Sequence, residues 1–266
     1  MGSPSSQSSR SWLPPPFTVT LGDDDLHVWL ATLDLPRSTV DRLRQLLSSD
    51  ETVRADRFHF AIDRDRFIVA RGYLRTILGK YISTDPSEIR LSYGEFGKPS
   101  VTNPSAVAAG LKFNLAHSGG LALYAMTLRA EIGVDLEEIR ADFSTDEIAE
   151  RFFSGKEIVR LRSLPPSEHP QAFFHCWTRK EAFVKAKGTG LSQALDQFDV
   201  TLGPDEPAVL LETRWDENEA SRWFLKSIEL GVDFAAALAF EGHDRRISYW
   251  KLDDSMTPIQ TTSFVR

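Results

Sequence analysis

The sequence predicts an α/β (α+β) fold of two pseudo-equivalent halves, each a small sheet with one long packed helix, and a cofactor cleft between them. Two observations carry that expectation. Two long helical patterns, Asp63–Tyr81 and Pro170–Gly188, are each preceded by an Arg-Phe pair (Arg57-Phe58 and Arg151-Phe152) and followed by short strand-like runs. The chain has 266 residues, 41% hydrophobic and 26% charged, enough for a real core in one large domain or two ordinary ones. The halves are placed at 17–130 and 131–252, with tails at 1–16 and 253–266. A crevice between two halves is a usual ligand site.

Residues 1–16 are rich in Ser and Pro and read as a disordered or extended tail. Met1-Gly2…Ser6 formally fits a myristoylation pattern, although the tail reading stands beside it. Leu26–Leu33 is strand-like. Pro36–Ser48 reads as a helix, and Ser48-Ser49-Asp50 offers a cap for a second, Glu51–Phe58. In Asp63–Tyr81, the residues Phe67, Ala70, Leu74, Ile77, Leu78 and Tyr81 share a face. Arg64, Arg71 and Arg75 run along its edge, either to pair with acids or to face phosphate. Glu88–Tyr93 reads as a strand, Gly94–Pro99 as a tight loop carrying Lys98, and Thr102–Ala109 as a loop.

The stretch Phe113–Glu137 is central. Leu121–Leu128 and Glu131–Leu136 are strand-like and joined by Arg129-Ala130, which predicts a hairpin. Asn114, His117 and Ser118 lie before its first strand, with Gly119-Gly120 as a corner. Asp135 and Glu137 stand at i and i+2, so both point to one face. They are either solvated acids or acids sharing a cation. Two short helices follow, around Thr145–Phe152 and Gly155–Leu164. In Pro170–Gly188, Phe173, Trp177 and Val184 form the core stripe, while Glu181 and Lys185 stand at i and i+4 beside it, half turned to solvent. Strand-like runs then occur at Phe198–Leu202, Val209–Thr213, Trp223–Leu230, Phe234–Phe240 and Ile247–Trp250.

Net charge is −7, which disfavours non-specific nucleic-acid binding. The single cysteine, Cys176, excludes an internal disulfide, fits a reducing compartment and is expected to be buried. With no spanning apolar stretch and no N-terminal hydrophobic region, a cytoplasmic protein without membrane contact is expected. HExxH, CxxC, P-loop, GxGxxG and GxSxG patterns are all missing from the sequence. What remains is a set of three carboxylates, Asp135, Glu137 and Glu181, suited to an open Mg²⁺ site beside Arg54, Lys98, His117 and Lys185. That combination suits a substrate with several phosphates and a phosphoryl-type transfer. A metal-dependent nuclease and a non-catalytic binding module are the competing readings. The nuclease fits poorly, because Glu181 and Lys185 are helix-spaced and the net charge is acidic.

The pieces GVDLE (Gly133–Glu137) and FSGKE…WTRKEAFVKAKGTGLS (Phe153–Ser192), preceded by FNLAHSG (Phe113–Gly119), resemble the 4'-phosphopantetheinyl transferases of the surfactin-synthetase-activating type. RFHFAIDRDRFIVARGYLR and GEFGKP resemble that family's N-terminal half, so the likeness spans about residues 20–240. The resemblance implies an enzyme that moves the phosphopantetheine arm of coenzyme A onto a serine of an acyl or peptidyl carrier protein, with Mg²⁺. It also implies two similar halves with coenzyme A between them, for which a monomer is the simpler expectation. By the same resemblance, Asp135, Glu137 and Glu181 are metal-binding acids; the chemistry then needs a carboxylate, Glu181 first, to take the serine proton directly or through a water, with Asp135 and Lys185 as the other catalytic groups. Asn114 and His117 belong to the segment touching the coenzyme A phosphates, Lys98 and Arg54 contact its nucleotide end, and Lys185 lies near the pyrophosphate. Ala116 departs from the pattern, because many relatives carry serine there; the implied loss is one hydroxyl contact.

Overall fold

The structure, a computed structural model, describes residues 12–140 and 145–252. The Met1-Gly2 pattern, the expected tail up to residue 11 and the expected tail at 253–266 lie outside the described residues. In the N-terminal part the elements are β1 (Asp25–Thr32), α1 (Arg37–Arg44), α2 (Ser49–Ala55), α3 (Ala61–Ile82), β2 (Leu91–Tyr93), β3 (Pro99–Val101), α4 (Pro104–Ala109), β4 (Leu111–Ser118) and β5 (Leu121–Leu128). Then follow β6 (Ile132–Glu138), α5 (Thr145–Phe152), α6 (Gly155–Arg162), α7 (His169–Lys187), β7 (Phe198–Val200), β8 (Leu210–Thr213), β9 (Trp223–Ser227), β10 (Phe234–Glu241) and β11 (Arg246–Lys251).

Two sheets organise the α/β fold, one in the order β11-β1-β5-β4 and one in the order β6-β10-β9. Strand alternation explains how they are covered. On β1, Trp29 and Ala31 face α3 together with Tyr124 and Met126 of β5, whereas Leu26, Val28 and Leu30 face the other way. On β10, Ala235, Ala237 and Ala239 take the aromatic side chains of α7, and Leu238 and Phe240 turn away. The two turned-away faces share a third core with Ile132, Val134 and Leu136 of β6. Each sheet therefore has an apolar inner face in the shared core and one long helix on its outer face.

Several boundaries move for identifiable reasons. Ser48 closes a capping box with Glu51, so α2 starts at Ser49. Arg71 and Arg75 both pair with Glu51, through bonds of 2.7 Å and 2.6 Å, and all three are buried. Of the two roles open to these two arginines, pairing with an acid is the one observed. The Glu88–Tyr93 strand shrinks to β2, and Thr102–Ala109 contains α4 with Pro104 at its first turn.

The expected hairpin of Leu121–Leu128 with Glu131–Leu136 is not formed. Strand β5 is already flanked by β1 and β4, so no edge is left for β6, which joins β10 in the other sheet. Arg129, at φ 59°, carries the chain between the sheets. The hairpin partner of β5 is β4, through a two-residue turn at Gly119-Gly120 with φ of 55° and 81°, values that favour glycine at both positions. Asn114, His117 and Ser118 thus lie on a strand rather than before one. At the far end, β11 pairs parallel with β1, so the chain returns to the first sheet after β10. Leu13 bridges to Trp250, so residues 12–13 are paired and not part of a free tail.

Cys176 is buried, as expected. Among the described residues, no helix is long and apolar enough to cross a membrane. His27 is also buried, with Nδ1 2.8 Å from the Tyr81 hydroxyl, which accepts from Trp29 Nε1. Burial lowers the His27 pKa from 6.5 to about 4. The unfolded chain then binds the extra proton first, so stability falls as pH drops from 6.5 towards 4, by about 3 kcal/mol from this residue. Urea unfolding of the wild type and of His27→Gln across that window should show a shallower acid-side loss in the variant. Parallel pH profiles would contradict the assignment.

Candidate active site

The site begins at a backbone contact. A Cβ at Gly133 would strike the Ala182 carbonyl oxygen and the backbone of Ala186, so β6 lies against α7 at a distance that admits no side chain. Gly133, Asp135 and Glu137 share the face of β6 opposite the shared core, and that face looks onto α7. Asp135 Oδ1 consequently meets Lys185 Nζ at 2.5 Å. Asp135 is 3% exposed, and its Oδ2 is buried with no hydrogen-bond partner.

Strand β4 completes the arrangement from the first sheet. Asn114 Oδ1 accepts from the Val134 amide at 2.9 Å, and Ser118 Oγ accepts from the Glu138 amide at 3.1 Å. Ser118 Oγ also lies 3.2 Å from Glu137 Oε2, to which it donates. These side chains stitch β4 to β6 across the boundary between the sheets. The carbonyl oxygen of Asn114 is already committed to this seam. Ala116 is buried, on the face of β4 that also carries Asn114 and Ser118 and opposite His117.

A cavity of about 280 Å³ opens between the halves, lined by Asn114, Leu115, Glu181, Lys185, Leu195 and the Phe96–Pro99 loop. Its two loops touch, since a Cβ at Gly190 would run into Phe96. Lys98 does not reach freely into this space. Its Nζ donates to the Ala186 carbonyl at 2.8 Å and to Glu131 at 3.1 Å, which ties the loop to the end of α7. Arg54 lies over the Phe67 ring at 5.4 Å, and its charge, with that of Lys185, reaches His117.

The electrostatics divide the site in two. Burial raises the pKa of Asp135, and burial together with the Asp135 charge raises those of Glu137 and Glu181. Burial opposes the charge on Lys185, but the nearby acids outweigh it and hold the ammonium protonated. His117 is lowered by desolvation, then by Lys185 and Arg54. The acids therefore carry surplus negative charge that Lys185 alone does not balance. Among the described residues, no three His, Cys, Asp or Glu side chains converge enough to hold a metal ion by themselves. The orphan Asp135 Oδ2 and the charge surplus nevertheless fit a cation whose coordination is completed by substrate and water oxygens.

Comparison with known proteins follows the same outline. A 4'-phosphopantetheinyl transferase superfamily model matches residues 131–239, and a 4'-phosphopantetheinyl transferase N-terminal model matches residues 36–129. The 4'-phosphopantetheinyl transferase HetI of Nostoc sp. is 39% identical over 241 residues, covering 91% of this chain and 98% of HetI. The chain belongs to the 4'-phosphopantetheinyl transferases. The transferase is also 33% identical over 166 residues to Sfp of Bacillus subtilis, covering 62% of this chain and 70% of Sfp. Thermotoga maritima holo-[acyl-carrier-protein] synthase is a solved structure with a TM-score of 0.34 and 23% identity, over 44% of this chain and 64% of that one.

The sequence reading missed Gly133 as a spacer, the Ser118–Glu137 contact and the closure of Phe96 on Gly190. Only Gly133 had a signal, a glycine inside a strand pattern, which marks close backbone approach. Gly133→Ala should push β6 off α7. Thermal and urea unfolding should show a loss of about 1–3 kcal/mol, as for overpacked cores. Unchanged stability would mean that the strand can retreat without cost.

Proposed function

We propose that this transferase moves the 4'-phosphopantetheine arm of coenzyme A onto a serine hydroxyl of an acyl or peptidyl carrier protein, releasing adenosine 3',5'-bisphosphate. The observation that carries the reading is a cleft lined by Glu181 and Lys185, with Asp135 bonded to Lys185, the charge of Glu137 acting on Glu181, and His117 within the field of Lys185 and Arg54. In this reading, the serine oxygen forms a bond to the phosphorus carrying pantetheine, and the bridging P–O bond of the pyrophosphate breaks. Glu181 takes the serine proton, an effect typically worth about 10²–10⁴-fold. Lys185, held protonated, faces the leaving phosphate and stabilises or protonates it. Arg54 and His117 offer cationic or N–H contacts to the substrate phosphates. Lys98 serves by fastening the Gly94–Pro99 loop that walls the nucleotide end, in addition to lending charge.

Asp135, Glu137 and Glu181 would hold Mg²⁺, which supplies charge neutralisation at the pyrophosphate when bound. The single buried cysteine agrees with a cytoplasmic location, and two halves in one chain agree with a monomer. The acidic net charge speaks against nucleic acid or an anionic membrane as partner, and the basic groups Lys185, Arg54 and His117 beside the cleft suit a phosphorylated small molecule.

Intact-mass spectrometry of an apo carrier protein, incubated with the transferase, coenzyme A and Mg²⁺, should show the gain of one phosphopantetheine arm, lost with a chelator. No gain across acyl and peptidyl carriers would contradict the proposal. Asp135→Ala should lower turnover by at least about 100-fold while coenzyme A still binds. Lys98→Ala should mainly weaken coenzyme A binding, and an unchanged calorimetric isotherm would remove Lys98 from the site.

A further inference from the structure

Next to Glu181, and on the inner side of α7, stands a lysine that the reaction scheme does not use. The Lys180 side chain is 0% exposed, so its ammonium sits wholly inside the protein. Every donor is satisfied: Nζ lies 2.8 Å from Glu157 Oε2, 2.7 Å from the Leu195 carbonyl and 2.5 Å from the Phe198 carbonyl. It also lies 4.2 Å from the Phe198 ring centroid. Glu157 is 3% exposed and equally committed. Its Oε2 accepts from the Ser154 amide at 2.9 Å, closing the capping box of α6, and its Oε1 accepts from the Val200 amide at 2.8 Å.

A buried ion pair is a poor device for stability alone, because desolvating two charges offsets most of their attraction. Its placement shows what it constrains. Lys180 precedes Glu181, and Leu195, whose carbonyl it holds, lines the same cavity as Glu181 and Lys185. Strand β7 begins three residues later and is held by Glu157. One buried pair thus ties the rotation of α7 to the segment 195–200 that returns from the cavity wall.

We propose that Lys180, paired with Glu157, is a positioning residue for the transfer reaction: it holds the Leu195–Val200 segment against α7 and so fixes the wall of the coenzyme A cleft opposite the Phe96–Pro99 loop. This rests on the transferase reading above. Neither residue touches the cavity, so their effect reaches substrate only through Leu195 and the aim of Glu181.

The test is steady-state kinetics of Lys180→Met and of the double variant Lys180→Met/Glu157→Gln. The double variant leaves no orphan buried charge and covers the case in which the single variant does not fold. Folded fraction is measured by near-ultraviolet circular dichroism at the assay temperature. A merely structural role lowers apparent kcat in proportion to the folded fraction and leaves KM alone. The positioning role raises the coenzyme A KM of the folded variant by at least about 10-fold, with a smaller change in kcat. A KM within about twofold of wild type in an active, folded variant would overturn it. A wild-type chain that modifies no carrier fails the transferase reading and this inference together, whereas an active wild type with an unchanged variant KM fails the inference alone.

Discussion

The close approach of β6 to α7 at Gly133 is the constraint on which the rest of the site depends. With no side chain between them, the strand backbone rests on the helix backbone near Ala182 and Ala186. The next same-face residue, Asp135, then has nowhere to go but onto Lys185, one turn from Glu181. Any larger residue at 133 would separate strand from helix by the width of a methyl group, a displacement comparable to the bond lengths that define the site. The carbonyl of Ala186, next to this contact, also receives Lys98, so the loop from the first half is referenced to the same point.

A second constraint joins the halves. The boundary between β4 and β6 is bonded through side chains: Asn114 and Ser118 each accept a β6 backbone amide. Such a seam satisfies donors that a sheet edge would otherwise leave open, while letting the two sheets diverge enough to leave a cavity. Asn114 and Ser118 therefore support the site as well as border it. The Glu138 amide is satisfied by Ser118, which also donates to Glu137 and sets that carboxylate beside Asp135.

The third element is charge. Burying three carboxylates around one lysine is unfavourable in isolation, and their raised pKa values express that cost. Pre-set repulsion of this kind suits a site that is completed by a cation and a polyphosphate, since the protein need not reorganise when they arrive. Desolvation, and then the charges of Lys185 and Arg54, lower the pKa of His117, which favours its neutral form. The protein as a whole is acidic, and Lys185 stands among the acids of the site rather than apart from them.

Much of this was legible in the sequence. Helical spacing located α3 and α7, and apolar and alternating runs located β5, β6 and β10, while the capping box of Ser48 with Glu51 moved the start of α2 from Glu51 to Ser49. The residue types Asp135, Glu137, Glu181 and Lys185 announced their chemistry because charge at a fixed period is a local property. Strand pairing was not local. The run from Leu121 to Leu136 looks like a hairpin, yet β5 was already flanked on both edges by β1 and β4, and only the assembled sheet can decide that. The same holds for the return of β11 to β1 and for the engagement of Lys98 with Glu131 and Ala186. Sequence determined which groups the protein would use, because composition and period are carried by neighbours along the chain. Tertiary structure decided which of them meet, because edge occupancy and backbone approach depend on residues a hundred positions apart.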